Sequence, residues 1–112
     1  MKLIYVAGKY RGETANEIYW NINGAREVAE AILRLCPGWF PVTPHLNTAF
    51  MDGLADDEVF LEGDKELLKR CDAVYMMPYW EESEGATAER EFALKNNIPV
   101  YETLTELQEA NK

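Results

Sequence analysis

The sequence predicts an α/β fold, a parallel β-sheet with helices packed on both of its faces. Three observations carry that expectation. Short apolar runs alternate with stretches of helical periodicity from one end of the chain to the other. The first run, "KLIYVAG", is almost continuously apolar, which suits a strand buried on both faces. Two capping boxes, "TANE" at Thr14–Glu17 and "TLTE" at Thr103–Glu106, announce helix starts between or after such runs. The 112 residues fit one compact domain spanning 1–112, and a hydrophobic content of 47% supports a core and excludes a disordered chain.

The elements follow in order. The first strand ends at Gly8. Behind the Thr14 box, Ile18, Ile22, Ala25, Val28, Ala29 and Ile32 fall on one helical stripe, and Pro37 and Gly38 of "CPGW" stop the helix. "WFPVTP" is a second, irregular strand whose two prolines argue for a sheet edge or a strand end. "HLNTAFMDGLADD" is a loop with room for one helical turn. Asp56 can cap the next helix, which carries Val59, Phe60, Leu67 and Leu68. "DAVYMMP" is the third strand, "EGATAEREFALKNN" a helix, and "IPVYE" the fourth strand, before the last short helix.

Charge and composition exclude several function classes. The net charge of −9 repels a polyphosphate backbone, so nucleic-acid polymers are not expected partners. No apolar run is long enough to span a bilayer. "MKLIYVAG" reads as a strand rather than a signal peptide. Cys36 and Cys71 have neither a disulfide-framework nor a metal-site spacing, and both are expected as buried thiols in a reducing cytoplasm.

In parallel sheets ligands bind at the carboxyl ends of the strands. That rule selects "GKYRG", "TPHLNT", "PYWEESEG" and "YET", with the polar candidates mostly in the first three. In the first, Gly8 and Gly12 let backbone turn tightly and approach a ligand, and Arg11 can fork onto a phosphate or carboxylate. The plain alternative is a strand-to-helix turn with exposed charge. In "SEGATAE", Ser83 and Gly85 precede a helix whose first N–H groups can hold an anion, and Glu89 lies about one turn inside. A simple N-cap explains Ser83 and Glu84, but explains the small run from Gly85 to Ala88 less well. Gly63 interrupts a helical pattern, so something is expected to pack closely there; Asp64 beside it can be the second carboxylate of an acid/base pair, or part of a solvated face. His45, the only histidine, is a hydrogen-bonded loop residue or a ligand contact, with no metal cluster around it. Tyr10, Trp39, Tyr79 and Trp80 can stack on a base or simply pack.

Together "AGKYRG" and "W…S-x-G-A-x-x-E" resemble the nucleoside 2-deoxyribosyltransferase superfamily, in particular short members related to deoxynucleoside 5′-monophosphate N-glycosidases. The resemblance spans roughly Leu3 to Val100. It implies a flavodoxin-like (Rossmann-like) three-layer sandwich with a four- to five-stranded parallel sheet, and cleavage of an N-glycosidic bond. Glu89, four residues after Gly85, takes the position of the nucleophile that forms a glycosyl-enzyme intermediate. The pattern Asp64, Leu68, Asp72 puts the acid or sugar-positioning aspartate at Asp64. The 5′-phosphate contacts fall on Gly8, Tyr10, Arg11, Gly12 and Ser83. The resemblance implies a nucleoside or nucleotide as the small-molecule partner, a homodimer, and no metal or other cofactor.

The sequence departs from the family at Glu91, where glycine is common, and at Lys9, where proline is common. Glu91 can raise the pKa of Glu89 or point away. The short chain favours hydrolysis over transfer. Two other readings stay open: a non-catalytic nucleotide-binding module of the same fold, and an interaction protein whose aromatics meet a partner.

Overall fold

The structure is a computed structural model, and it describes residues 1–111. Four parallel strands form one sheet: β1 (Lys2–Ala7), β2 (Trp39–Val42), β3 (Ala73–Met76) and β4 (Val100–Tyr101). Their spatial order is β2-β1-β3-β4. In register, Tyr5 of β1 lies between Val42 of β2 and Val74 of β3. This is the flavodoxin-like winding, in which strand order reverses between β1 and β3 and a crevice opens at their carboxyl ends.

The helices are α1 (Ala15–Leu35), α2 (Pro44–Asn47), α3 (Asp57–Lys69), α4 (Glu84–Lys95) and α5 (Leu104–Ala110), with a short 3₁₀ turn at Trp80–Glu82. Both capping boxes form, with Thr14 and Thr103 each accepting from the backbone N–H three residues on. Asp56 stands at the N-cap of α3, but its side chain makes no capping bond. The single helical turn expected after the second strand is α2, and β2 is an edge strand.

Alternation along β1 sends neighbouring side chains to opposite faces. Ile4 and Val6 meet α1 and α5 through Ile32, Cys36 and Leu107. Tyr5 and Ala7 face α3 and α4 through Leu68, Ala86 and Ala93. Of the α1 stripe, Ile22, Ala25, Ala29 and Ile32 are buried, while Ile18 and Val28 are half-buried. On α3 only Leu68 is fully enclosed, and Val59 points outward. Both cysteines are buried free thiols. Among the described residues no helix is long and apolar enough to cross a membrane.

Candidate active site

Three side chains converge beneath α3 and α4. Tyr5 rises from the middle of β1, fully enclosed, and its hydroxyl donates to Glu89 Oε2. Glu89 sits one turn into α4, in a helix whose first residues are fixed by the Ser83 cap. Asp64 comes from α3 and lies near enough for its charge to act on both partners.

Burial dominates the electrostatics here. It raises the Glu89 carboxyl to about 7; the Tyr5 hydrogen bond opposes the rise, the Asp64 charge adds to it, and Lys65 opposes it weakly. Burial also raises Asp64 to about 6. The Tyr5 phenol is driven far above its ordinary range by its own burial and then by the Glu89 and Asp64 charges, so it stays a proton donor. The two carboxyl titrations overlap, and around neutral pH one proton is shared between them. Glu89, raised higher than Asp64, gives up its proton last; once ionised it keeps the Tyr5 hydrogen bond and can act as a nucleophile through Oε1, the oxygen outside that bond. A protonated Asp64 can act as an acid.

Glu91 is exposed on α4 and is not among the groups that shift Glu89. Of the two possibilities for that departure, the side chain points away. The three members of the Asp64, Leu68, Asp72 pattern divide their work. Leu68 is fully buried in the core, Asp72 accepts from the Leu3 backbone N–H at 2.7 Å, and only Asp64 faces the carboxylate.

The first loop is held by contacts of its own. A Cβ on Gly8 would stand 2.6 Å from Met77 Sδ, and one on Gly12 would stand 2.4 Å from Glu17 Cβ. Both glycines are therefore required by packing inside the chain, against the end of β3 and against the capping box. The Tyr10 hydroxyl donates to Asp52 Oδ1 at 2.6 Å, and its ring meets His45 edge-on with centroids 5.6 Å apart. Arg11 pairs with Asp57 Oδ2 at 2.8 Å on an open surface. His45 Nε2 donates to the Lys9 carbonyl at 3.1 Å; the expected hydrogen bond is present, with the residue in α2 rather than in a loop. Burial keeps its pKa below the ordinary value, and its Nδ1 has no hydrogen-bond partner among the described residues.

Ser83 Oγ accepts from the Ala86 N–H at 3.1 Å. It is the helix cap, and its own hydroxyl proton remains to be donated. A Cβ on Gly85 would find only Ser83 Oγ, at 3.9 Å, so nothing in the chain crowds it. Gly63 corrects an expectation. A Cβ there would meet nothing within 4 Å, so no close packing inside the chain explains that glycine. Lys9 and Glu82 Oε1, 3.7 Å apart, link the first loop to the β3–α4 connection.

The structure thus gathers Glu89 with Asp64, and separately Gly8, Tyr10, Arg11 and His45 around the first loop. Tyr5 is the residue that sequence reasoning missed. Inside an apolar run a tyrosine reads as core, and its depth on the sheet face beneath Glu89 was the only available signal. No group of three or more His, Cys, Asp or Glu side chains suited to a metal ion occurs among the described residues.

The fold has a solved counterpart. A 2-deoxyribosyltransferase from the psychrotolerant bacterium Bacillus psychrosaccharolyticus superposes with a TM-score of 0.56 over 95% of this chain and 90% of that one, at 13% identity. At that identity the likeness establishes the fold, and the expected flavodoxin-like sandwich is the observed one. No curated protein matches the chain by sequence. The profile of a family described as "Domain of unknown function (DUF4406)" matches residues 2–102, and the chain belongs to that family.

Proposed function

We propose that this chain is a single-domain N-glycosidase or deoxyribosyltransferase-like enzyme acting on a (deoxy)nucleoside or its 5′-monophosphate. The observation that supports the reading is the half-buried carboxylate pair, with Glu89 hydrogen-bonded by Tyr5 and raised towards neutrality beside Asp64. Perturbed, converging titratable groups of this kind mark sites of chemistry.

Glu89 Oε1 attacks the anomeric carbon, the bond from that carbon to the base nitrogen breaks, and Asp64 delivers its proton to the departing base. Water then attacks the glycosyl ester. Asp64 takes the water proton, and the free sugar leaves with Glu89 restored as a carboxylate. The first loop, with Gly8, Tyr10, Arg11 and Gly12, and the α4 start, with Ser83 and Gly85, receive the 5′ end; His45 fixes the loop from behind. Arg11 and Ser83 are the phosphate contacts. By the family resemblance the protein is a cytoplasmic homodimer, which sedimentation velocity checks for assembly.

Chromatographic detection of free base tests the reading. Purified protein is incubated with ribo- and deoxyribonucleosides and their 5′-monophosphates, beside a Glu89→Gln variant. Release by the wild type should fall about 1,000-fold or more in the variant. A folded wild type that releases no base from any of them leaves the nucleotide-binding module as the better account.

A further inference from the structure

On the α1 side of the sheet, away from Tyr5 and Glu89, an open cleft of about 530 Å³ runs between α1 and the β3–α4 connection. Its volume lies in the range that holds small ligands. Three independent features of its walls converge.

The first is a pair of exposed rings. Trp20 on α1 is 69% exposed and Tyr79 on the facing connection is 73% exposed. Large rings left in water beside a concave surface are available to stack on another ring.

The second is the backbone that presents Tyr79. This residue has φ 68° and ψ 17°, the left-handed region that a bulky side chain seldom adopts. Such conformations gather at ligand clamps.

The third is Gly24, in the interior of the 21-residue α1 and in the cleft wall. Glycine weakens a helix interior. A Cβ there would meet only Met77 Cε, at 3.7 Å, an ordinary contact. Packing inside the chain therefore does not call for the missing side chain, but the open volume of the cleft does.

Polar groups line the same space. Asn21 spends its Nδ2 on the Tyr10 and Arg11 carbonyls at 3.0 and 3.2 Å, which leaves Oδ1 as the group it can offer. Glu82 supplies a carboxylate, paired with Lys9 at 3.7 Å across the rim. Both offerings are acceptors, and both suit a ligand edge that carries N–H donors.

We infer that this cleft is an accessory stacking subsite for a planar heteroaromatic ring bearing an amino group, an aminopurine above all, held between Trp20 and Tyr79 with its donor edge towards Asn21 Oδ1 and Glu82. The subsite is separate from the Glu89 pair and does not depend on the function proposed for that pair.

Calorimetric titration with adenine tests it, with ribose as the non-aromatic control. The wild type should bind adenine saturably and ribose not at all. Trp20→Ala should weaken adenine binding about tenfold, as loss of a stacking platform does. Gly24→Leu, which fills the cleft from a helix-favouring residue, should abolish it, and Tyr79→Ala should weaken it if Gly24→Leu does not fold. Absence of saturable adenine binding, or affinity in Trp20→Ala and Gly24→Leu equal to that of the wild type, would overturn the assignment. Failure of base release leaves these readouts untouched, so the two proposals fail separately.

Discussion

The two faces of the sheet are built from the same strands and have opposite interiors. Towards α1 and α5 the β1 side chains are Ile4 and Val6, and Ile32, Trp39 and Leu107 close over them beside the Tyr75 ring, the one buried indole N–H being satisfied by the Leu107 carbonyl at 3.0 Å. Towards α3 and α4 the intervening residue is Tyr5, and its hydroxyl reaches a carboxylate that the helices have largely removed from water. The lesson is that a central-strand hydroxyl hydrogen-bonded to a helix carboxylate turns a packing face into one that can hold charge. The α1 face supplies stability, and the α4 face gives some of it up in order to keep two carboxyls raised.

Mutations can break that division or sharpen it. The largest effect belongs to the apolar face. Ile32→Ala should lower unfolding free energy by about 3 kcal/mol, since it opens a cavity under a fully buried side chain. Chemical denaturation measures the loss, and the pH dependence of stability should keep its shape.

The carboxylate face should respond in the opposite sense. Glu89 titrates near 7 when folded and near 4.5 in its ordinary state, so between those values the folded chain binds more protons than the unfolded one. Wild-type stability should therefore fall as pH rises from about 4.5 to about 7, and Asp64 adds to the fall at the lower end of the window. Glu89→Gln should flatten the curve and exceed the wild type by on the order of 2 kcal/mol at pH 8. A steeper curve in the variant would contradict burial as the cause.

Tyr5→Phe isolates the hydroxyl. It removes the one hydrogen bond that lowers the Glu89 pKa, and should move the acidic limb of the base-release pH profile upward by about 1 unit. The profile of the α1-face variant should not move.

The smallest effect lies at the rim. The exposed Arg11–Asp57 pair occupies the guanidinium that a phosphate would need, so Asp57→Asn should tighten 5′-monophosphate binding by about twofold to fivefold relative to the unphosphorylated nucleoside. Competition binding to the Glu89→Gln protein reads the ratio without turnover.

How much of this was legible in sequence depended on the range of the interaction. Thr14 with Glu17 and Thr103 with Glu106 act over three residues, and both boxes stand where the letters put them. The continuous apolar run of β1 marked a strand covered on both faces, and Pro41 and Pro44 marked β2 as peripheral. Gly8 and Gly12 were legible as glycines that something must approach, and within the chain the neighbours are Met77 and Glu17. Long-range partners left no local mark. Nothing near Arg11 announces Asp57, and nothing near Tyr5 announces Glu89, which lies 84 residues away. Glu89 and Asp64 stood out beside unexplained glycines, but their roles came from the family motif, because helical spacing alone assigns them to a wet face as readily as to a crevice.

Both margins of the sheet are poor templates for growth. At one side Pro41 has no N–H to offer a newcomer, and at the other β4 is only two residues long. A foreign extended segment would find no continuous ladder to join at either end. Fibril-like propagation through the strands is thus disfavoured at both margins, which leaves side-chain contacts as the favoured route by which copies would associate.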